Sequence, residues 1–122
     1  MVSIVLVSHS AKVAAGMKEF LEQLGNAEII VPKSEGLGTS AVAIAEAIKK
    51  CNSEALLICD IGSSVINAKS AIDLSGKSAE IADCPFVEGA VVACVSASMG
   101  MSMDEVRAEA EKTWEMRKLT SI

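Results

Sequence analysis

Four times along this chain an apolar, mostly uncharged run stops at a small polar turn or a proline and hands over to a segment with helical period. The first run, residues 2–7, ends in Ser8-His9-Ser10; from Ala11 the spacing changes, with Val13, Met17, Phe20 and Leu24 at i, i+4, i+7 and i+11 and Ala14 and Leu21 beside them. A run dense in Val, Ile and Leu reads as a strand covered on both faces, and the new period reads as an amphipathic helix. Ser10 fits its N-cap and Gly25 its C-terminal stop. Next, "AEIIV" is a strand that Pro32 terminates, followed by the polar loop "KSEGLGTS" and a helix capped by Thr39 or Ser40 with Ala41, Ile44, Ala45 and Ile48 on one face.

The third run, "EALLICD", leads into "IGSS" and a helix with Val65, Ala68 and Ile72 in register. The fourth and weakest strand, "SAEIA", precedes "DCPFVEGAVVACVSASMG", a helix with Pro85 near its start and Gly100 at its close. Residues 103–118 place Met103, Val106, Ala110 and Trp114 on one side and nine charged residues around the rest, the pattern of an amphipathic surface helix. Strands alternating with helices predict an α/β fold: a small four-stranded parallel sheet in the order 2-1-3-4 with helices on both faces. With 122 residues, one domain over residues 1–122 is expected.

Two Phe, one Trp and no Tyr require an aliphatic core. The net charge of −5 argues against an electrostatic nucleic-acid interface, which needs a basic face. The longest uncharged stretch, between Glu88 and Asp104, is too short and too polar for a transmembrane helix, and no basic segment precedes the first apolar run as in a signal peptide. A cytoplasmic location is the expectation. Cys51, Cys59, Cys84 and Cys94 are too widely spaced for CxxC pairs and the single histidine cannot complete a ligand set, so reduced, buried thiols and no metal site are expected. Met99, Met101 and Met103 read as packing or subunit contact.

In open parallel sheets ligands bind outside the carboxyl ends of the strands where the strand order reverses. With strands two and three on opposite sides of strand one, that point lies between His9 and Asp60. A carboxylate accepting one ring N–H fixes the imidazole tautomer and leaves the other nitrogen as a nucleophile. Amides at the start of the following helix, Ser10 and the Gly62–Ser63 turn could then hold a phosphoryl group. Placement alone also allows plainer roles: His9 as a turn residue bonding a carbonyl, Asp60 as a cap, "EGLGTS" as a flexible connection without a Walker or dinucleotide fingerprint.

Together, "IVLVSHS", "GLGTS", "ICDIGSS" and "PFVEGAVVA" resemble, in order and over nearly the whole chain, the DhaM family, the phosphotransferase subunits of PEP-dependent dihydroxyacetone kinases. These are themselves similar to mannose-type EIIA domains of the sugar phosphotransferase system. The resemblance implies that His9 receives a phosphoryl group from the carrier HPr and that Asp60 is its acidic neighbour. It implies that the acceptor is ADP on the subunit DhaL, which serves dihydroxyacetone phosphorylation on DhaK. It assigns Ser8, Ser10, Gly38, Thr39, Gly62 and Ser63 to loops around the site, and implies a homodimer with no cofactor bound by this chain.

Mannose-type EIIA domains usually carry Gly after the active histidine and a longer C-terminal segment. Here Ser10 follows His9 and the chain ends soon after one amphipathic helix, which favours the dihydroxyacetone assignment over a sugar-specific EIIA component. The length leaves no room for appended HPr-like domains, so separate proteins are expected to supply the phosphoryl group. A receiver domain phosphorylated on Asp60 would need acidic residues after strand one to hold Mg²⁺, where this chain has Ser8-His9-Ser10. A non-catalytic ligand-binding module in the same crevice is a further alternative.

Overall fold

The computed structural model describes residues 1–34 and 38–119. Residues 35–37, inside the loop "KSEGLGTS", and residues 120–122 lie outside them. The strands are β1 (Ser3–Val7), β2 (Ile29–Ile30), β3 (Ala55–Cys59) and β4 (Ala79–Ala82). All pair in parallel in the order β2-β1-β3-β4, with Ile4 opposite Ile29 and Leu56, and Leu57 opposite Ile81. The helices are α1 (Ala11–Glu22), α2 (Ala41–Lys50), α3 (Gly62–Ser75), α4 (Phe86–Ser98) and α5 (Met103–Glu111).

Both central strands are buried throughout, which is why their sequences lack alternation. Ile4, Leu6, Leu56 and Ile58 face α1, α4 and α5, meeting Leu21, Ala93 and Val106. The intervening Val5, Val7, Leu57 and Cys59 face α2 and α3, meeting Ile44, Ile48 and Ala68. Each fully buried Leu or Ile contributes about 1.5–3 kcal/mol relative to exposure, so the two aliphatic layers fix which face each helix covers. Alanines at the centres of α3 and α4 let those helices approach the sheet closely.

Four sequence expectations need correction. The second strand is two residues long rather than five, because β2 sits at the sheet edge with β1 as its one neighbour and Pro32 has no N–H to extend the ladder. On α1 the buried stripe is Ala14, Met17 and Leu21, whereas Val13, Phe20 and Leu24 are each more than 40% exposed. The helix turns its i, i+3, i+7 line to the sheet, and its flank stays open. The last helix is α-helical only to Glu111 and continues as a 3₁₀ turn, Lys112–Glu115. The tighter winding buries Thr113 beside Ala110 and swings Trp114 outward, where its Nε1–H donates to the Asp83 carbonyl at 2.9 Å.

Ser10 and Ser40 are the N-caps of α1 and α2, accepting from the amides of Val13 and Ala43. Gly25 does not terminate α1, which is capped by Gln23 in right-handed conformation. A Cβ there would lie 2.3 Å from Ser98 Oγ, so this glycine admits the close approach of α4. All four cysteines are buried free thiols. Among the described residues no helix is long and apolar enough to cross a membrane.

Candidate active site

A parallel sheet delivers every strand to the same edge, and the helix that follows begins there. The carboxyl edge therefore collects the turns after β1 and β3 together with the N-termini of α1 and α3. Because α1 leaves on one face of the sheet and α3 on the other, a crevice opens between the two turns. The Asp60 amide donates to the Val7 carbonyl at 3.0 Å, carrying the β1–β3 ladder one residue further and setting the Asp60 side chain against Ser8 and His9.

The Asp60 carboxylate is surrounded by donors. Its Oδ2 accepts from the His9 amide at 2.9 Å and from the Ser8 hydroxyl at 3.1 Å. Its Oδ1 accepts from the Ile61 amide at 2.7 Å and from the Ser64 hydroxyl at 2.5 Å, and lies 3.1 Å from His9 Nδ1. Burial alone would push this carboxyl up, but the Ser64 hydroxyl, the His9 and Ile61 amides and the His9 ring outweigh it and hold the carboxyl at about 2. An ionised carboxylate can only accept, which assigns the ring proton to Nδ1. In the neutral form of this ring the lone pair is on Nε2, where the exposed Ser63 hydroxyl, 3.0 Å away, is placed to donate to it.

The residues flagged by sequence divide into those that touch the ring or its carboxylate and those that support the turns. Ser8, His9, Asp60 and Ser63 form the first group. Ser10 caps α1 and donates its amide to Ser8 Oγ at 3.0 Å. Gly38 donates its amide to the His9 carbonyl at 2.8 Å, and its φ of +104° is a conformation that favours glycine. Thr39 accepts from Asn67 Nδ2 at 2.6 Å through Oγ1, which ties this loop to α3. Gly62 is the first residue of α3.

Ser64, Asn67 and Trp114 were not singled out as site residues from the sequence. Ser64 lies one helical turn beyond Asp60, a spacing that would have marked it, but a serine at a helix start reads first as a cap. Trp114 lines a cleft of about 530 Å³ with Asp60, Ile61, Val65, Lys69 and Ile81. On the other side of His9 a pocket of about 240 Å³ opens between Ser8, Ala11, Lys33, Thr39 and Ser40. The His9 side chain between the two turns is 32% exposed.

This arrangement can hold a neutral imidazole in one tautomer and present its Nε2 to an electrophile. Hydroxyls and the positive N-terminal ends of α1 and α3 can receive negative charge there. The neighbouring thiols do not compete as nucleophiles, since burial and the Asp60 charge push Cys59 up to about 12, and burial and Glu111 push Cys84 up to about 11. Among the described residues no three His, Cys, Asp or Glu side chains converge as a metal centre would require.

Residues 3–107 match the family described as EIIA-man, PTS system fructose IIA component. A phosphoryl donor subunit DhaM of PEP-dependent dihydroxyacetone kinase 2 from Listeria innocua is 38% identical over 120 residues, covering 89% of this chain and 96% of that protein. The DhaM of Escherichia coli is 31% identical over 97% of this chain, which spans 28% of that longer protein. Among solved structures, the unknown-function protein EF1359 superposes with a TM-score of 0.78 at 30% identity, covering 91% of this chain and 93% of the other.

Proposed function

This chain belongs to the EIIA-man family, and on that premise we propose that it is the phosphoryl donor subunit of a PEP-dependent dihydroxyacetone kinase, with His9 as the phosphoryl carrier. The observation that carries the reading is the His9 ring itself: Nδ1 is held by Asp60 and Nε2 is turned towards the crevice beside Ser63. In this scheme the Nε2 lone pair attacks phosphorus on phospho-HPr as the donor's bond to phosphorus breaks and its electron pair returns to HPr. Ser63 turns its hydroxyl from Nε2 to a phosphoryl oxygen. The Nδ1 proton stays on the ring facing Asp60, so the positive ring is a good leaving group for the second step. A terminal phosphate oxygen of ADP on DhaL then attacks, the N–P bond breaks and neutral His9 is regenerated; the ATP formed serves dihydroxyacetone phosphorylation on DhaK. Ser8, Ser10, Gly38, Thr39, Gly62 and Ser63 are the loop residues of this proposal, and the protein works in the cytoplasm as a homodimer.

The test is direct. Incubated with PEP, enzyme I and HPr, the protein takes up one acid-labile phosphate per chain, and His9→Ala takes up none. An unlabelled parent protein, or a variant that still labels, refutes the role of His9. The fructose component in the family's description motivates a second reading, a sugar-specific EIIA component whose acceptor is an EIIB protein. The labelled protein is therefore offered DhaL carrying ADP and, separately, an EIIB. Transfer to DhaL is the expected result, and transfer to EIIB alone overturns the dihydroxyacetone assignment.

A further inference from the structure

The relay just proposed places two opposed demands on Asp60. The carboxylate must stay ionised to accept the Nδ1 proton, yet an anion beside an imidazole favours the charged ring, which has no lone pair at Nε2. Reconciling them requires other donors to share the carboxylate's charge. Ser64 is the best placed of these. It is fully buried on the first turn of α3, and its hydroxyl donates to Oδ1, the same oxygen that Nδ1 approaches more closely. The 2.5 Å contact is the shortest that Asp60 makes, and Ser64 Oγ also lies 3.2 Å from Nδ1. No other partner competes for this hydroxyl among the described residues.

We propose that Ser64 is a positioning residue that acts through Asp60: by occupying Oδ1 it weakens the carboxylate's hold on the Nδ1 proton and keeps the His9 ring neutral and nucleophilic. This rests on the reading of His9 as a phosphoryl acceptor. Ser8 supplies a second hydroxyl, but to Oδ2, which lies 3.4 Å from Nδ1 and is the more distant oxygen. The titratable groups around the carboxylate are His9 from the turn after β1 and Cys59 from the end of β3, with Lys69 of α3 and Asp83 after β4 along the cleft. Of these only His9 sits on the two carboxylate oxygens.

Ser64→Ala deletes one oxygen from a buried site and Ser64→Thr retains the hydroxyl. Two measurements are read on each: the pH midpoint of the His9 ring signals by NMR, and the acid limb of the pH–rate profile for phosphorylation by phospho-HPr. In Ser64→Ala both move to higher pH by about 0.5–1 unit, corresponding to about three- to tenfold in the ring's protonation equilibrium. Ser64→Thr returns both towards the parent, and Ser8→Ala moves them less than Ser64→Ala does. A Ser64→Ala midpoint within about 0.2 unit of the parent, or one moved downward, overturns the proposal, because a purely structural serine would change the melting temperature and leave the midpoint in place. A parent protein that takes up no phosphate refutes the phosphotransfer reading instead, and the ring titration still decides what Ser64 does to Asp60 and His9.

Discussion

Asp60 at the carboxyl edge of the sheet and Glu28 at its amino edge are built alike. Glu28 accepts from the Ser3 hydroxyl at 2.7 Å and from the Asn52 amide at 2.8 Å and side chain at 2.7 Å, tying the starts of β1, β2 and β3 together. Asp60 ties the turns after β1 and β3 with hydroxyls and amides in the same way. The difference lies in one donor. The donors to Glu28 among the described residues, a serine hydroxyl and two asparagine nitrogens, are non-titratable, whereas one group on Asp60 is an imidazole whose second nitrogen lies 3.0 Å from the Ser63 hydroxyl. A well-satisfied carboxylate is therefore ordinary architecture at either end of this sheet, and what sets the carboxyl edge apart is a titratable partner with a second ring nitrogen.

Substitutions that separate the two ends test this contrast. The largest effect is kinetic: Asp60→Asn, which no longer enforces the Nδ1–H tautomer, slows phosphorylation by about 10²-fold or more, while Glu28→Gln leaves the rate unchanged. Equal slowing in the two variants would erase the distinction. Next comes acid stability. The Asp60 carboxyl drops from an ordinary 3.8 to about 2 on folding, so the unfolded chain binds the proton more readily. That contributes about 2 kcal/mol, fully present above pH 3.8 and lost as the pH falls through about 2. Urea unfolding of the parent and Asp60→Asn from pH 6 to pH 2 should show their difference shrinking across that window. The smallest effect belongs to the amino edge, where Glu28→Gln costs about 1–2 kcal/mol at neutral pH by turning an amide group towards the Ser3 and Asn52 donors.

What the sequence made legible follows the same contrast. Uncharged runs mark β1 and β3, and the rule for parallel sheets by itself brings His9 and Asp60 to one crevice. Residues whose role depends on where a helix turns were harder to read. Ser64 reads as a capping serine until α3 is wound and its hydroxyl is found under the carboxylate. Trp114 reads as core until the 3₁₀ turn rotates it into the cleft beside Asp60. Val13, Phe20 and Leu24 look like an inward stripe because apolar period alone does not say which flank of a helix meets the sheet.

The backbone of His9 is bound on both sides, its N–H by Asp60 and its C=O by the Gly38 amide, while Asn67 anchors Thr39 next to that glycine. Fixing a residue's backbone in a single conformation costs about 1–2 kcal/mol of entropy, and here folding has already met that cost. In the proposed phosphotransfer, an electrophile entering the crevice would meet a histidine whose backbone is already in place, so less ordering remains for that step.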